Sequence, residues 1–164
     1  SIQKSVIEAH PQAAMVGGCM NKSDGTPQAY QYGTEPSLQD VFTMAKKKEQ
    51  YHKTNDTLHQ VDWISGGAMM IKKHIFEEVG GFDERFFMYF EDIDLSKRVR
   101  EKGYTIFWTP EAKLFHAEGG AEKVFKNTKK RYYASQRKFY AKHNGRIWSA
   151  VLWPLHQILL SQYE

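Results

Sequence analysis

A chain of 164 residues, 41% hydrophobic and 26% charged, is long enough to bury one real core and has the balance of a soluble globular domain. One cysteine, Cys19, excludes an internal disulfide framework, and no run reaches the roughly 20 apolar residues needed to cross a bilayer. A net charge of +4 favours anionic partners such as phosphates, nucleotides, acidic lipid or nucleic acid without choosing among them.

The opening residues SIQKSVIEAH lack the apolar core and cleavage site of a signal peptide. Ile2, Val6 and Ile7 share helical spacing, so residues 1–9 are expected to end an amphipathic helix that begins without an N-cap. Ala13–Met20 reads as a buried strand, and Asn21–Pro27 as a turn centred on Asp24-Gly25. Residues 28–60 are polar and give little pattern. Ser37 is positioned to cap a short helix through Lys46, and Lys46–Gln50 reads as a solvated loop.

From Val61 the pattern sharpens. Ala68–Ile71 reads as a buried strand behind Gly66-Gly67, and residues 73–79 as a helix stopped by Gly80-Gly81. An aromatic loop, Phe82–Phe90, leads into a helix over Glu91–Lys102 that ends at Gly103. Tyr104–Trp108 predicts a strand, Leu114–His116 a short strand or loop, and 123–143 a helix with Phe125, Tyr132 and Phe139 on one line. Alternating strands and helices without an internal repeat point to an α/β layer architecture.

The stretch FFMYFEDIDLSKR, residues 86–98, is the most informative. At 100° per residue Asp92 falls in line with Leu95, Ser96 and Val99, on the inward stripe, and Asp94 on the opposite side beside Lys97 and Arg98. Asp94 then starts the helix and pairs with Arg98 four residues on. Asp92 is an acid on an apolar stripe, costly to bury unless paired or functional. It serves either to satisfy helix N–H groups or to do chemistry, and spacing alone leaves both open.

Three segments, VDWISGGAMMIKK (61–73), EEVGGFDERFFMYFEDIDLSKRVREKGY (77–104) and TPEAKLFHAEGG (109–120), with a weaker match at 10–26, resemble family-2 glycosyltransferases of the GT-A fold, especially rhamnosyltransferase-like members. The resemblance implies a partial GT-A fold, a mixed sheet flanked by helices, in which 1–143 form the acceptor-side, C-terminal half of the catalytic domain and 144–164 an amphipathic tail. It implies that Glu91-Asp92 is the acidic pair, with Asp92 the catalytic base and Glu91 holding the acceptor or orienting the base. Trp63, Ser65, Gly66, Gly67 and Ala68 would line the sugar site, and His116 would stand where some members ligate a divalent metal. The implied reaction is inverting transfer from a nucleotide-diphosphate sugar to a glycan or lipid-linked acceptor, with Mg²⁺ or Mn²⁺ on the diphosphate.

Such enzymes carry a preceding nucleotide-binding half with an Asp-X-Asp motif. The one D-x-D here, Asp92-Ile93-Asp94, is taken by the base motif. The expectation is that the nucleotide-binding half is missing, that no metal is held by this chain and that it is inactive alone. Exposed sheet edges would then favour a homo-oligomer. Residues 147–160 place Trp148, Val151, Leu152, Leu155 and Leu159 on one helical face, kinked or restarted at Pro154, behind Lys138, Lys142, His143 and Arg146. That suits either peripheral contact with the inner face of a membrane, for a protein of the cytoplasm, or a terminal helix packed on the missing half or on another copy. A non-catalytic binding or assembly module with the same fold is the alternative. Single-strand nucleic-acid binding through Lys126–Lys142 is disfavoured, because that charge run equally fits a solvated helix face.

Overall fold

The structure, a computed structural model, describes residues 1–42, 56–116 and 127–161. In chain order its elements are α1 (Ile2–Ala9), β1 (Ala13–Asn21), β2 (Tyr32–Gly33), α2 (Leu38–Phe42), β3 (His59–Val61), β4 (Trp63–Ile64), a 3-10 turn (Gly66–Ala68), β5 (Met69–Ile71), α3 (Lys73–Glu78), α4 (Glu91–Glu101), β6 (Thr105–Phe115), α5 (Thr128–His143) and α6 (Ile147–Ser161). The Lys46–Gln50 loop, the far end of the expected Ser37–Lys46 helix and Phe125 lie outside the described residues. The chain divides into two compact units, Ser1–Gly81 with Asp92–Glu118, and Phe82–Glu91 with Gly119–Glu164.

The first unit is a mixed four-stranded sheet in the order β3-β6-β1-β5, with helices, as the α/β reading requires. Small and apolar side chains make β1 its centre, and all nine of its residues are buried. It runs antiparallel to β5 (Met15 opposite Ile71) and parallel to β6 (Gly17 opposite Trp108). Strand β3 pairs antiparallel with the outer side of β6, and β2 with β4 forms a separate two-stranded ribbon. Leu95 and Val99 of α4 and Ile75 of α3 close the core over Met15, Ile106 and Trp108. Fully burying one such side chain stabilises the fold by about 1.5–3 kcal/mol.

Four local expectations are corrected. Ser1 does cap α1, its Oγ accepting from Lys4 N at 3.4 Å. Ala68 belongs to the 3-10 turn, and β5 is half-buried, not buried, because it is an edge strand. The two strands expected at 104–108 and 114–116 are one strand, β6, interrupted by a bulge. Register passes from Gly18/Thr109 to Cys19/Lys113, so Pro110, Glu111 and Ala112 are extruded. Gly18 makes room for them, since a Cβ there would lie 2.5 Å from the Ala112 carbonyl oxygen. Asp94, placed by the helical wheel on the solvent side, is fully buried. Its Oδ2 accepts from Arg98 Nε at 2.8 Å, the expected pair. The same guanidinium donates to the carbonyls of Val79 and, at 2.7 Å, Gly81, which end α3. The charge pair is drawn inward because those carbonyls need a donor.

The second unit packs α5 and α6 on the aromatic loop. Phe90 lies 5.4 Å from both Tyr132 and Phe139, and Tyr133 stacks on His156 at 4.6 Å. Asp83 accepts from Arg85 and, at 2.8 Å, from Lys142, and these contacts hold its carboxyl well below the ordinary range. Helix α6 runs unbroken through Pro154, so the helix does not restart there; the proline removes one hydrogen bond without ending it.

Candidate active site

The site is built around a turn that the sequence makes narrow. Leaving β4, the chain forms the 3-10 turn, capped by Ser65 Oγ accepting from Gly67 N at 3.4 Å. Ser65 N in turn donates to Gln31 O at 2.8 Å. Both glycines face a functional candidate. A Cβ on Gly66 would meet Asp92 Cβ at 3.9 Å; one on Gly67 would lie 3.8 Å from the His116 ring and only 2.7 Å from Met20 Sδ. Glycine at 67 thus leaves room for the Met20 side chain, which a larger residue would displace.

Asp92 occupies the first turn of α4. Its Oδ2 accepts from Gly66 N at 3.1 Å and its Oδ1 from Ile93 N at 2.8 Å. Part of its surface stays open, yet the surrounding protein displaces enough water to push its carboxyl pKa up, against the opposing pull of the Gly66 and Ile93 N–H groups. Glu91 immediately precedes it as the first residue of α4, and the chain enters that helix through two successive left-handed residues, Tyr89 and Phe90. Such backbone outside glycine costs free energy and needs a firmly packed surround.

Trp63 is buried, with Nε1 donating to Thr34 O at 3.0 Å, and Ala68 is buried beneath the turn. Behind the site, α4 is tied down by Glu35, which meets Lys97 at 2.9 Å and also Arg100, while Arg100 Nε donates to Asp62 O at 2.9 Å. Burial opposes ionisation of Glu35, but the two cations hold its carboxyl below its ordinary range.

His116 follows β6, its N donating to Asn21 O at 3.0 Å. Two buried glutamines that sequence reasoning did not single out fix it. Gln28 Nε2 donates to His116 O, which turns Gln28 Oε1 toward His116 Nδ1 at 3.2 Å. Since that oxygen only accepts, Nδ1 is the donor, and in the neutral ring Nε2 is the nitrogen left with a lone pair. Gln31 Nε2 donates to Gln28 O at 2.7 Å, and Gln31 Oε1 accepts from Met20 N, linking the pair back to β1. The only signal available was two glutamines three apart in a polar stretch, which has no periodicity to mark it. His116 thus offers one nitrogen to a metal, but among the described residues no group of three His, Cys, Asp or Glu side chains surrounds a common point. They do not form a metal site by themselves. A separate groove of about 420 Å³, lined by residues 1–3 and 111–114, shares no residue with this site.

Residues 53–119 match the family model described as the N-terminal domain of galactosyltransferase. The chain is 31% identical over 122 residues to the N-acetylglucosaminyl-diphospho-decaprenol L-rhamnosyltransferase of Mycobacterium tuberculosis, covering 65% of this chain and 38% of that protein. It is 42% identical over 57 residues to the rhamnosyltransferase WbbL of Escherichia coli K12, covering 35% of this chain and 20% of the relative. The chain therefore spans well under half the length of these relatives. A crystal structure of GalNAc-T7 with UDP, GalNAc and Mn²⁺ aligns over 83% of this chain and 29% of that one at 16% identity, with a TM-score of 0.47, too low to establish a shared fold. The resemblance carried by the motifs stands: the chain is glycosyltransferase-like, with rhamnosyltransferases among its relatives.

Proposed function

From a chain that is rhamnosyltransferase-like in sequence, we propose the acceptor-activating part of an inverting glycosyltransferase, with Asp92 as general base. The observation that supports it is the Asp92 carboxylate clasped by the Gly66 amide at 3.1 Å, on the turn whose next residue abuts His116. The donor is a nucleotide-diphosphate sugar. The acceptor is a glycan or lipid-linked sugar, as the name of the mycobacterial relative indicates for that protein.

In this reading the acceptor hydroxyl hydrogen-bonds to the open side of Asp92. As its oxygen attacks the anomeric carbon, the proton passes to the carboxylate, and the bond to the diphosphate breaks with its electron pair leaving on phosphate. Attack opposite the leaving group inverts the carbon. A raised pKa makes Asp92 a stronger proton acceptor, while the Gly66 N–H keeps it from rotating away. Ser65, Gly66 and Gly67 form the wall against which the sugars rest, with Trp63 and Ala68 buried behind it, and Glu91 holds the acceptor or steers the base. Mg²⁺ or Mn²⁺, if one serves the diphosphate, would take at most His116 Nε2 from the residues described, and would act as a Lewis acid on the leaving group.

The test is Asp92→Asn in the protein that carries this sequence, assayed for sugar transfer to a lipid-linked acceptor. The expected result is a loss of roughly 10²–10⁴-fold in kcat with unchanged thermal unfolding. Turnover retained within a few-fold would instead favour a binding or assembly module that has kept the fold.

A further inference from the structure

The helical unit presents a surface that the sugar chemistry does not use. The line Trp148, Val151, Leu152, Leu155 and Leu159 was expected to be the apolar face of α6, but Leu152 is fully buried and Trp148, Leu155 and Leu159 are half-buried. Another apolar line remains outside. Ile147, Val151 and Ile158 lie within about 40° of one another on a helix, and they are 70%, 43% and 60% exposed. Trp153, 55% exposed, lies at least about 120° round the helix from them and is not part of this line. The apolar face of α6 is thus wider than its packed part, and this line runs along the unpacked edge. Burial inside its own unit does not account for that edge.

The charge of the same unit says what covers it. Between residues 128 and 161 there are seven Lys and Arg side chains and no Asp or Glu, although the whole chain carries only +4. The rest of the molecule is therefore net negative. Lys142 meets Asp83, Lys138 donates to Arg85 O and Arg131 stands over the Phe87 ring, and the side chains of Lys129, Lys130, Arg131, Lys138 and Arg146 are all exposed. A helix pair is about 20 Å across, so these charges raise the potential over the whole surface within one or two screening lengths. A second copy meeting this face symmetrically would set cation against cation. An anionic bilayer meets both features, attracting the cations to its headgroups and taking Ile147, Val151 and Ile158 into its interfacial layer.

We propose that α5 and α6 form a docking surface for an anionic membrane, entered by Ile147, Val151 and Ile158. The surface belongs wholly to the helical unit and does not depend on the reading of Asp92. The test is flotation of the protein that carries this sequence with vesicles of pure phosphatidylcholine and with vesicles containing about 30% phosphatidylglycerol. Binding is expected to be at least tenfold tighter to the anionic vesicles and to weaken steeply with salt. The double variant Ile147→Glu/Ile158→Glu, at exposed positions and checked for unchanged far-UV circular dichroism, is expected to abolish it. Ile147→Ser/Ile158→Ser, which adds no negative charge, is expected to weaken it at least several-fold. Equal binding to both vesicle types, no binding to either, or indifference to both variants would overturn the proposal. So would a monomer–dimer equilibrium abolished by the same variants in protein that does not float.

Discussion

Asp94 in the sheet unit and Arg137 in the helical unit are inward-facing charges on helices, and they are met in different ways. Asp94 is fully buried and answered by Arg98, whose remaining N–H groups are spent on the carbonyls that end α3. Arg137 meets a neutral imidazole, with Nη1 donating to His156 Nδ1 at 3.1 Å, and burial lowers its own pKa. His156 is fully buried, its Nε2 has no hydrogen-bond partner among the described residues, and burial followed by the charge of Arg137 brings its pKa down to about 4. The sheet unit closes its charges on themselves and so holds α4, and Asp92 with it, in a fixed geometry. The helices of the other unit contain no carboxylate to do the same, so rings cement them and their positive charge stays turned outward.

This contrast breaks most visibly at Asp94. Asp94→Ala leaves Arg98 partly buried without its counter-ion and is expected to destabilise the sheet unit by about 3 kcal/mol. The measurement is hydrogen exchange read separately over 105–109 and 133–140; loss of protection in both alike would show that the units do not differ in this way.

Acid should strike the helical unit next. The His156 pKa is depressed on folding, so its contribution is intact above the unfolded value near 6.5 and is lost as pH falls toward about 4. The loss should reach up to about 3 kcal/mol at the acid limit. His156→Phe, which keeps a ring against Tyr133, is expected to flatten the difference between unfolding at pH 7 and pH 4.5; an unchanged slope would assign the acid sensitivity elsewhere.

The smallest effect is expected at Asp92. A carboxyl whose pKa is raised on folding destabilises the native state when ionised, so Asp92→Asn should leave stability at neutral pH unchanged or raise it. A clear drop in Tm would mean that Asp92 is a structural ligand of its helix and the turn, as its Ile93 contact alone would suggest.

Much of the sheet unit was legible in the sequence. Strand β1, the glycine stop after α3, helix α4 and the Asp94–Arg98 pair follow from local rules whose periods are short. What was not legible came from partners distant along the chain. The helical wheel put Asp94 outside because it cannot know that the carbonyls of Val79 and Gly81 await a donor. Gln28 and Gln31 escaped notice because their roles depend on β1 and on a histidine 88 residues beyond Gln28. The packed side of α6 was read almost correctly, but a line of isoleucines beside it could not be told from core without α5 in place. The proximity of Asp92 to Gly66 followed from motif resemblance and not from any pattern within the chain.

The bulge in β6 leaves this protein a place to change length. On either side of Pro110–Ala112 the strand keeps its own alignment with β1. Adding or removing a residue within the extruded stretch would alter only how far it protrudes. The same edit at Leu114 or Phe115 would carry His116 about 3.3 Å along the sheet and reverse the face it presents. Insertions should therefore be tolerated at 110–112 and lethal to the site four residues later.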